Sequence, residues 1–202
     1  MALINLLHVN QSLSLAIWRI AESEKTLQSL LSGDKYKPYP LFKNTNRRKE
    51  WFATRCLIQI LHPSLVLKYQ KNGKPLLFNN STKSAYEISI SHCQNMLAIA
   101  INNQNKTVGL DIEWISNRPL KIAMRFMNDN ELKLFSENKL NATIVWSAKE
   151  ALYKLYGNPV EDYRNSINVL AIDAKTIKAC YKSNIHLLQY HMANGLLIVW
   201  VC

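Results

Sequence analysis

The chain has 202 residues, 48% of them hydrophobic, enough for one large domain or two small lobes around a packed core. Lysine and arginine total 25 against 14 acids, a formal net charge of +11, so an anionic partner is expected. No apolar run reaches transmembrane length, so no membrane-spanning helix and no membrane partner are expected. Cys56, Cys93, Cys180 and Cys202 are scattered, with no CxxC pair and no zinc spacing. A reduced, cytoplasmic compartment is the expectation. Residues 1–20 lack a basic leading region and are interrupted by Asn5, His8, Asn10, Gln11 and Ser12, so no signal peptide is expected.

In chain order, residues 13–20 read as a strand and 22–31 as a helix closed by Gly33. Residues 36–40 form a loop set by two prolines. A longer helix is predicted over 44–61, with Trp51, Phe52, Cys56, Ile60 and Leu61 as its apolar stripe and Pro63 beyond its end. A short strand at 65–69 precedes a turn at 71–75. Strands follow at 86–91 and 96–101, then a polar turn at 102–106. The second half has an acidic strand at 108–114, helical segments at 120–126 and 130–137, and a helix at 142–156. Strands at 166–173, 177–182, 185–191 and 196–201 end the chain. The loosely repeated order predicts two lobes, 1–105 and 106–202, with no linker between them.

The chemistry concentrates on the acidic strand. Val108, Leu110, Ile112 and Trp114 fall on one face; Gly109, Asp111 and Glu113 fall on the other. Two carboxylates one pleat apart, at about 7 Å, repel by about 2.5 kcal/mol at an effective dielectric near 20. A divalent cation, an arginine or plain solvent would offset that. Gly109 leaves its face bare, which suits the close approach of a ligand. The bland alternative is an edge strand with a solvated acidic face. On the 142–156 helix, Trp146, Glu150 and Lys154 share a face at four-residue spacing, although Glu followed by Lys is also a common helix-stabilising pair. Three carboxylates suit magnesium, which prefers hard oxygen ligands shared with substrate. Upstream, Arg48 and Arg55 lie seven apart on one helix face with Arg47 at its edge. That arrangement holds a phosphate or is a solvated face. Lys74, in a Gly-Lys-Pro turn, is a phosphate contact or a plain surface turn lysine, and His92, after Ser91 at a strand end, donates to a phosphate or simply caps the strand. Glu131 stands in the helical segment between the two main motifs.

Together these segments resemble the Sfp-type 4′-phosphopantetheinyl transferases. Val108-Gly109-Leu110-Asp111-Ile112-Glu113 is similar to the central V-G-hydrophobic-D-hydrophobic-E motif of that family, and Trp146 to Lys154 to its W-small-x-K-E-A-x-x-K motif. Arg47 to Arg55 resembles the N-terminal arginine helix, Gly73-Lys74-Pro75 the lysine turn, Ser89-Ile90-Ser91-His92 the Ser-His segment, and Arg125-Phe126 with Glu131 the intervening block. The resemblance spans about residues 47–157. It implies an α+β fold of two lobes related by a pseudo-twofold axis, with antiparallel sheets and packed helices and an active site between the lobes. It implies transfer of phosphopantetheine from coenzyme A to a serine of an acidic apo carrier protein, releasing 3′,5′-ADP. Asp111, Glu113 and Glu150 would hold Mg²⁺. Glu150 or Glu131 would be the base, and Lys154 would assist the departing phosphate. Lys74, Ser91 and His92 would contact coenzyme A phosphates, and Arg48 and Arg55, with Arg47, its 3′-phosphate. A monomer is expected. Two other classes compete: a non-catalytic member that binds coenzyme A or a carrier, and a nucleic-acid-binding protein. The second lacks any recognisable module, so no nucleic-acid partner is expected.

Overall fold

The computed structural model describes residues 3–31, 36, 37, 39–157 and 162–202. Gly33 and Pro38, read from sequence as a helix stop and a loop former, lie outside the described residues. The chain divides into two compact units, Met1–Lys106 and Thr107–Cys202, each with helices and antiparallel sheets, an α+β architecture.

In the first unit, β1 (Leu3–His8), β2 (Leu13–Arg19), β6 (Glu87–Cys93) and β7 (Met96–Asn102) form an antiparallel sheet in the order β1-β2-β7-β6. Strand β7 is central and buried along its whole length, as its unbroken run Met96-Leu97-Ala98-Ile99-Ala100-Ile101 requires. Helices α1 (Glu24–Leu30) and α2 (Thr45–Leu61) cover one face. Ser23 and Asn44 cap their N-termini through side-chain oxygens. Trp18, Leu27, Phe52, Leu57, Leu97 and Ile99 meet in the core. A smaller sheet, β3 (Leu65–Tyr69), β4 (Pro75–Asn79) and β5 (Thr82–Lys83), adjoins it, its first turn passing through Gly73 at φ 86°. Strands β1, β4 and β5 were not expected from the sequence. Pro75 reads as turn punctuation but opens β4, a position that needs no ladder N–H.

In the second unit a five-stranded antiparallel sheet runs β8 (Gly109–Trp114), β12 (Leu196–Val201), β11 (Asn184–Ala193), β10 (Thr176–Tyr181) and β9 (Ile167–Ile172). The predicted helix at 120–126 is two short pieces, α3 (Asn117–Lys121) and α4 (Ala123–Phe126), broken at Ile122. Helices α5 (Asp129–Phe135), α6 (Lys139–Tyr156) and α7 (Tyr163–Ser166) follow. Helix α6 begins at an Asn138 cap and stops at Gly157, whose left-handed backbone takes the C-cap position. It packs along β8 and β12, and Val145, Ala148, Ala151 and Leu152 bury its apolar face.

That packing fixes the meaning of Gly109. A Cβ built there would lie 1.9 Å from the Ala151 carbonyl oxygen. The bare face admits the backbone of α6, not a ligand as the sequence suggested. Nor is the acidic face solvated, because Asp111 is buried although β8 is an edge strand. Gly109→Ala is expected to cost about 3 kcal/mol, at the upper end of overpacking penalties, since the clash is with backbone. Urea unfolding of this variant beside wild type checks it; equal midpoints would mean that α6 can retreat without loss.

Candidate active site

The carboxylates assemble because β8 and α6 lie against each other. Period-two alternation puts Asp111 and Glu113 on the side of β8 that Gly109 opens to the helix. The four-residue spacing on α6 puts Trp146, Glu150 and Lys154 in a stripe. The Lys154 ammonium lies 2.9 Å from Asp111 Oδ1 and also donates to the Leu110 carbonyl at 3.0 Å. The Trp146 indole N–H donates to Glu113 Oε1 at 3.1 Å. Glu150 Oε1 accepts from the Tyr163 hydroxyl at 2.7 Å.

The electrostatics follow from burial. Desolvation first, then the Asp111 charge, push the Glu113 carboxyl up to about 7, against the Trp146 hydrogen bond and the cations Arg118 and Lys154. Burial also raises Glu150; the Tyr163 bond opposes it and the Asp111 charge adds to it. With all three carboxyls ionised, as a bound cation would favour, three carboxylates less one ammonium leave two negative charges, the charge a divalent cation neutralises. The donors are also hard oxygens, the type magnesium takes. By charge and donor type the residues fit such an ion. As they stand, no three His, Cys, Asp or Glu side chains converge into a ready metal cage among the described residues. Lys154, Trp146 and Tyr163 each hold one of the acids.

A pH dependence follows. A carboxyl whose folded pKa is raised gives the folded state an extra proton between its unfolded and folded values. Its stabilising share is present below pH 4.5 and lost as pH rises through about 7. His62 and His186, lowered by burial, give the opposite slope. The comparison that isolates Glu113 is therefore with Glu113→Gln. In EDTA, wild type is expected to lose thermal stability relative to that variant between pH 5 and pH 8, as read by circular dichroism. Parallel curves would place Glu113 in a well-solvated setting.

Glu131 stands apart from this set. It is 1% exposed, and its Oε2 lies 2.8 Å from the fully buried Lys149 ammonium. Its two oxygens also accept from the backbone N–H groups of Asn128 at 2.9 Å and Val169 at 2.6 Å. Asn128 and Glu131 form the capping box of α5, a signal the sequence carries in Asn-x-x-Glu. Every oxygen is engaged in holding the fold, so this geometry does not equip Glu131 as a base.

The basic residues gather in the first unit. A cavity of about 400 Å³ is lined by Arg47, Trp51, Thr54, Arg55, Tyr69 and His92, with Phe42, Glu50 and Gly73 completing the wall. Arg55 is 5% exposed and its guanidinium stacks 3.6 Å from the Trp51 ring centroid. Burial lowers its proton affinity, and its Nε has no hydrogen-bond partner. His92 Nε2 and Thr54 Oγ1 are 3.0 Å apart. Arg48, paired with Arg55 by sequence spacing, is absent from this lining: its Nε reaches both oxygens of Glu24 at 2.8 Å, and its tip bonds the Phe42 and Lys43 carbonyls. Lys74 lies 3.8 Å from Glu87, which Lys83 also holds at 2.9 Å. Ser91 is buried on the face of β6 opposite to His92 by strand alternation. Arg47, Arg55 and His92 thus come together; Arg48, Lys74 and Ser91 do not join them. Thr54 and Trp51 complete the pocket, and the helical spacing of Trp51 and Arg55 was the signal for one of them.

Residues 107–195 match the family profile described as the 4′-phosphopantetheinyl transferase superfamily. Over that span, a little under half of its length, the chain is similar to that superfamily. It is 28% identical over 166 residues to the 4′-phosphopantetheinyl transferase HetI of Nostoc sp., covering 71% of this chain and 69% of the relative. It is 29% identical over 143 residues to the 4′-phosphopantetheinyl transferase gsp of Aneurinibacillus migulanus, covering 67% of this chain and 56% of that protein. The profile contains β8 and α6, so the superfamily match and the carboxylate set fall on the same elements.

Proposed function

We propose that the chain transfers the 4′-phosphopantetheine group of coenzyme A to a serine of an apo carrier protein, with Mg²⁺, releasing 3′,5′-ADP. The observation that carries this reading is the packing of α6 on β8, which gathers Asp111, Glu113, Glu150 and Lys154 on the elements shared with the superfamily. Asp111, Glu113 and Glu150 are the residues that would hold the ion. Its chemistry there is to neutralise charge developing on the pyrophosphate as the leaving group departs. Glu150 is raised toward neutrality by burial, which suits a group that takes the proton of the carrier serine hydroxyl. Lys154 carries an ammonium that stabilises the departing phosphate once it exchanges Asp111 for it.

Arg47, Arg55 and His92 offer phosphate donors in one cavity, with Trp51 and Tyr69 as walls; Thr54, whose hydroxyl donates to the Glu50 carbonyl, stands beside His92. Arg48 is engaged by Glu24 and the Phe42 and Lys43 carbonyls and is not among the proposed contacts. Lys74 and Ser91 reach a phosphate only by leaving their present settings. The net charge of +11 suits both polyanionic coenzyme A and an acidic carrier, whose encounter it would steer. The four cysteines are free, consistent with a reduced cytoplasmic setting. Among the described residues no helix is long and apolar enough to cross a membrane. The protein acts as a monomer in this reading.

A second reading is favoured by one observation: Lys154 already neutralises Asp111, as it would in a member that binds coenzyme A or a carrier without transfer. Intact-mass spectrometry of apo carrier proteins incubated with this protein, coenzyme A and Mg²⁺ separates the two. Gain of one phosphopantetheine, abolished by EDTA, supports the transferase. Coenzyme A binding without gain on any carrier supports the binding member.

A further inference from the structure

We propose that Tyr163 is a positioning residue that orients Glu150 toward a bound divalent cation; this rests on the reading of Glu150 as a metal ligand. Tyr163 belongs to none of the motifs in the sequence. Its hydroxyl donates to Glu150 Oε1 at 2.7 Å. Its ring stands 6.3 Å from Trp146 and 6.2 Å from Tyr153, and Trp146 in turn donates to Glu113. Two neighbouring aromatic donors therefore each grip one carboxylate of the set. A phenol and an indole fix direction without cancelling charge, whereas an arginine in either place would neutralise the acid it held.

The turn that carries Tyr163 is itself secured. Asp162 caps α7 through the Asn165 N–H at 3.1 Å. The Arg164 guanidinium donates to the Met127 carbonyl at 2.7 Å, and the Arg164 carbonyl accepts from buried Lys149 at 2.9 Å. Lys149 precedes Glu150 on α6, so one side chain ties the donor's turn to the helix of the acceptor. Hydrogen-bonded outer partners of ligating carboxylates set ligand direction, and losing one weakens metal binding by about 10–100-fold.

The test is Mn²⁺ binding to the whole protein, read as free Mn²⁺ by electron paramagnetic resonance, beside the metal-free thermal midpoint. Tyr163→Phe keeps the ring and removes the donor. Mn²⁺ affinity is expected to fall about 10–100-fold with little change in midpoint, and Tyr153→Phe is expected to bind as wild type. Asp162→Ala, at an exposed cap, loosens the same turn and is expected to weaken Mn²⁺ in the same direction but less. Unchanged Mn²⁺ affinity in both Tyr163→Phe and Asp162→Ala overturns the inference and leaves Tyr163 a packing residue. A wild type that binds no Mn²⁺ removes the metal reading of Glu150 itself, and the inference with it.

Discussion

Asp111→Asn is expected to lower phosphopantetheine transfer by about 10³-fold while the protein stays folded, a loss of the size seen when one preorganised charge contact to a transition state is removed. The substitution is isosteric and changes two things in the structure. It takes a full charge from the set that includes Glu113 and Glu150, and it leaves Lys154 a neutral amide oxygen in place of the carboxylate oxygen at 2.9 Å. These effects pull in opposite directions on stability. Relief of repulsion on Glu113 favours the variant, and the weakened Lys154 contact does not. The thermal midpoint therefore moves little, and the Glu113 carboxyl drops from its raised value because one of its causes is gone. Initial rates on a carrier that accepts the group, alongside circular dichroism, check this. Wild-type turnover in Asp111→Asn would remove Asp111 from the chemistry.

Glu131→Ala is expected to have the largest effect on stability, about 3–5 kcal/mol, because it leaves Lys149 as a buried charge without its carboxylate partner. It also takes the acceptor from the Asn128 and Val169 N–H groups. The readout is chemical unfolding. Rate per folded molecule is expected to stay near wild type, as the base assigned here is Glu150. A stable variant with turnover cut by orders of magnitude would return Glu131 to the reacting atoms.

The sequence exposed much of this arrangement because both of its periods are strong. Alternation along β8 separated Gly109, Asp111 and Glu113 from the apolar positions, and four-residue spacing grouped Trp146, Glu150 and Lys154 before any packing was known. The long helices and the strands of the second unit were legible for the same reason. Short elements were not. Strand β1 lies at a sheet edge and its sequence carries no clean period-two alternation, and β4 is a brief apolar run behind a proline. Arg48 illustrates what spacing cannot carry: it shares a helical face with Arg55, yet its partner Glu24 comes from another helix. Tyr163 escaped because it sits outside every motif, 13 residues past the carboxylate it holds. Glu131 was legible as a capping residue, but its motif neighbours drew attention to its acidity instead.

The contact of Gly109 with Ala151 bears on how distant relatives should be sorted. The glycine answers to the passage of a helix backbone. Lys149 likewise answers to the buried interior. On the proposed assignment, a descendant that had given up transfer but kept this architecture would still need both letters, and would be free to lose Asp111, Glu113 or Lys154. Within one string of motif letters, then, some positions report ancestry of shape and others report retention of chemistry. A search meant to find working transferases should score the acids and Lys154 apart from the glycine and the buried lysine.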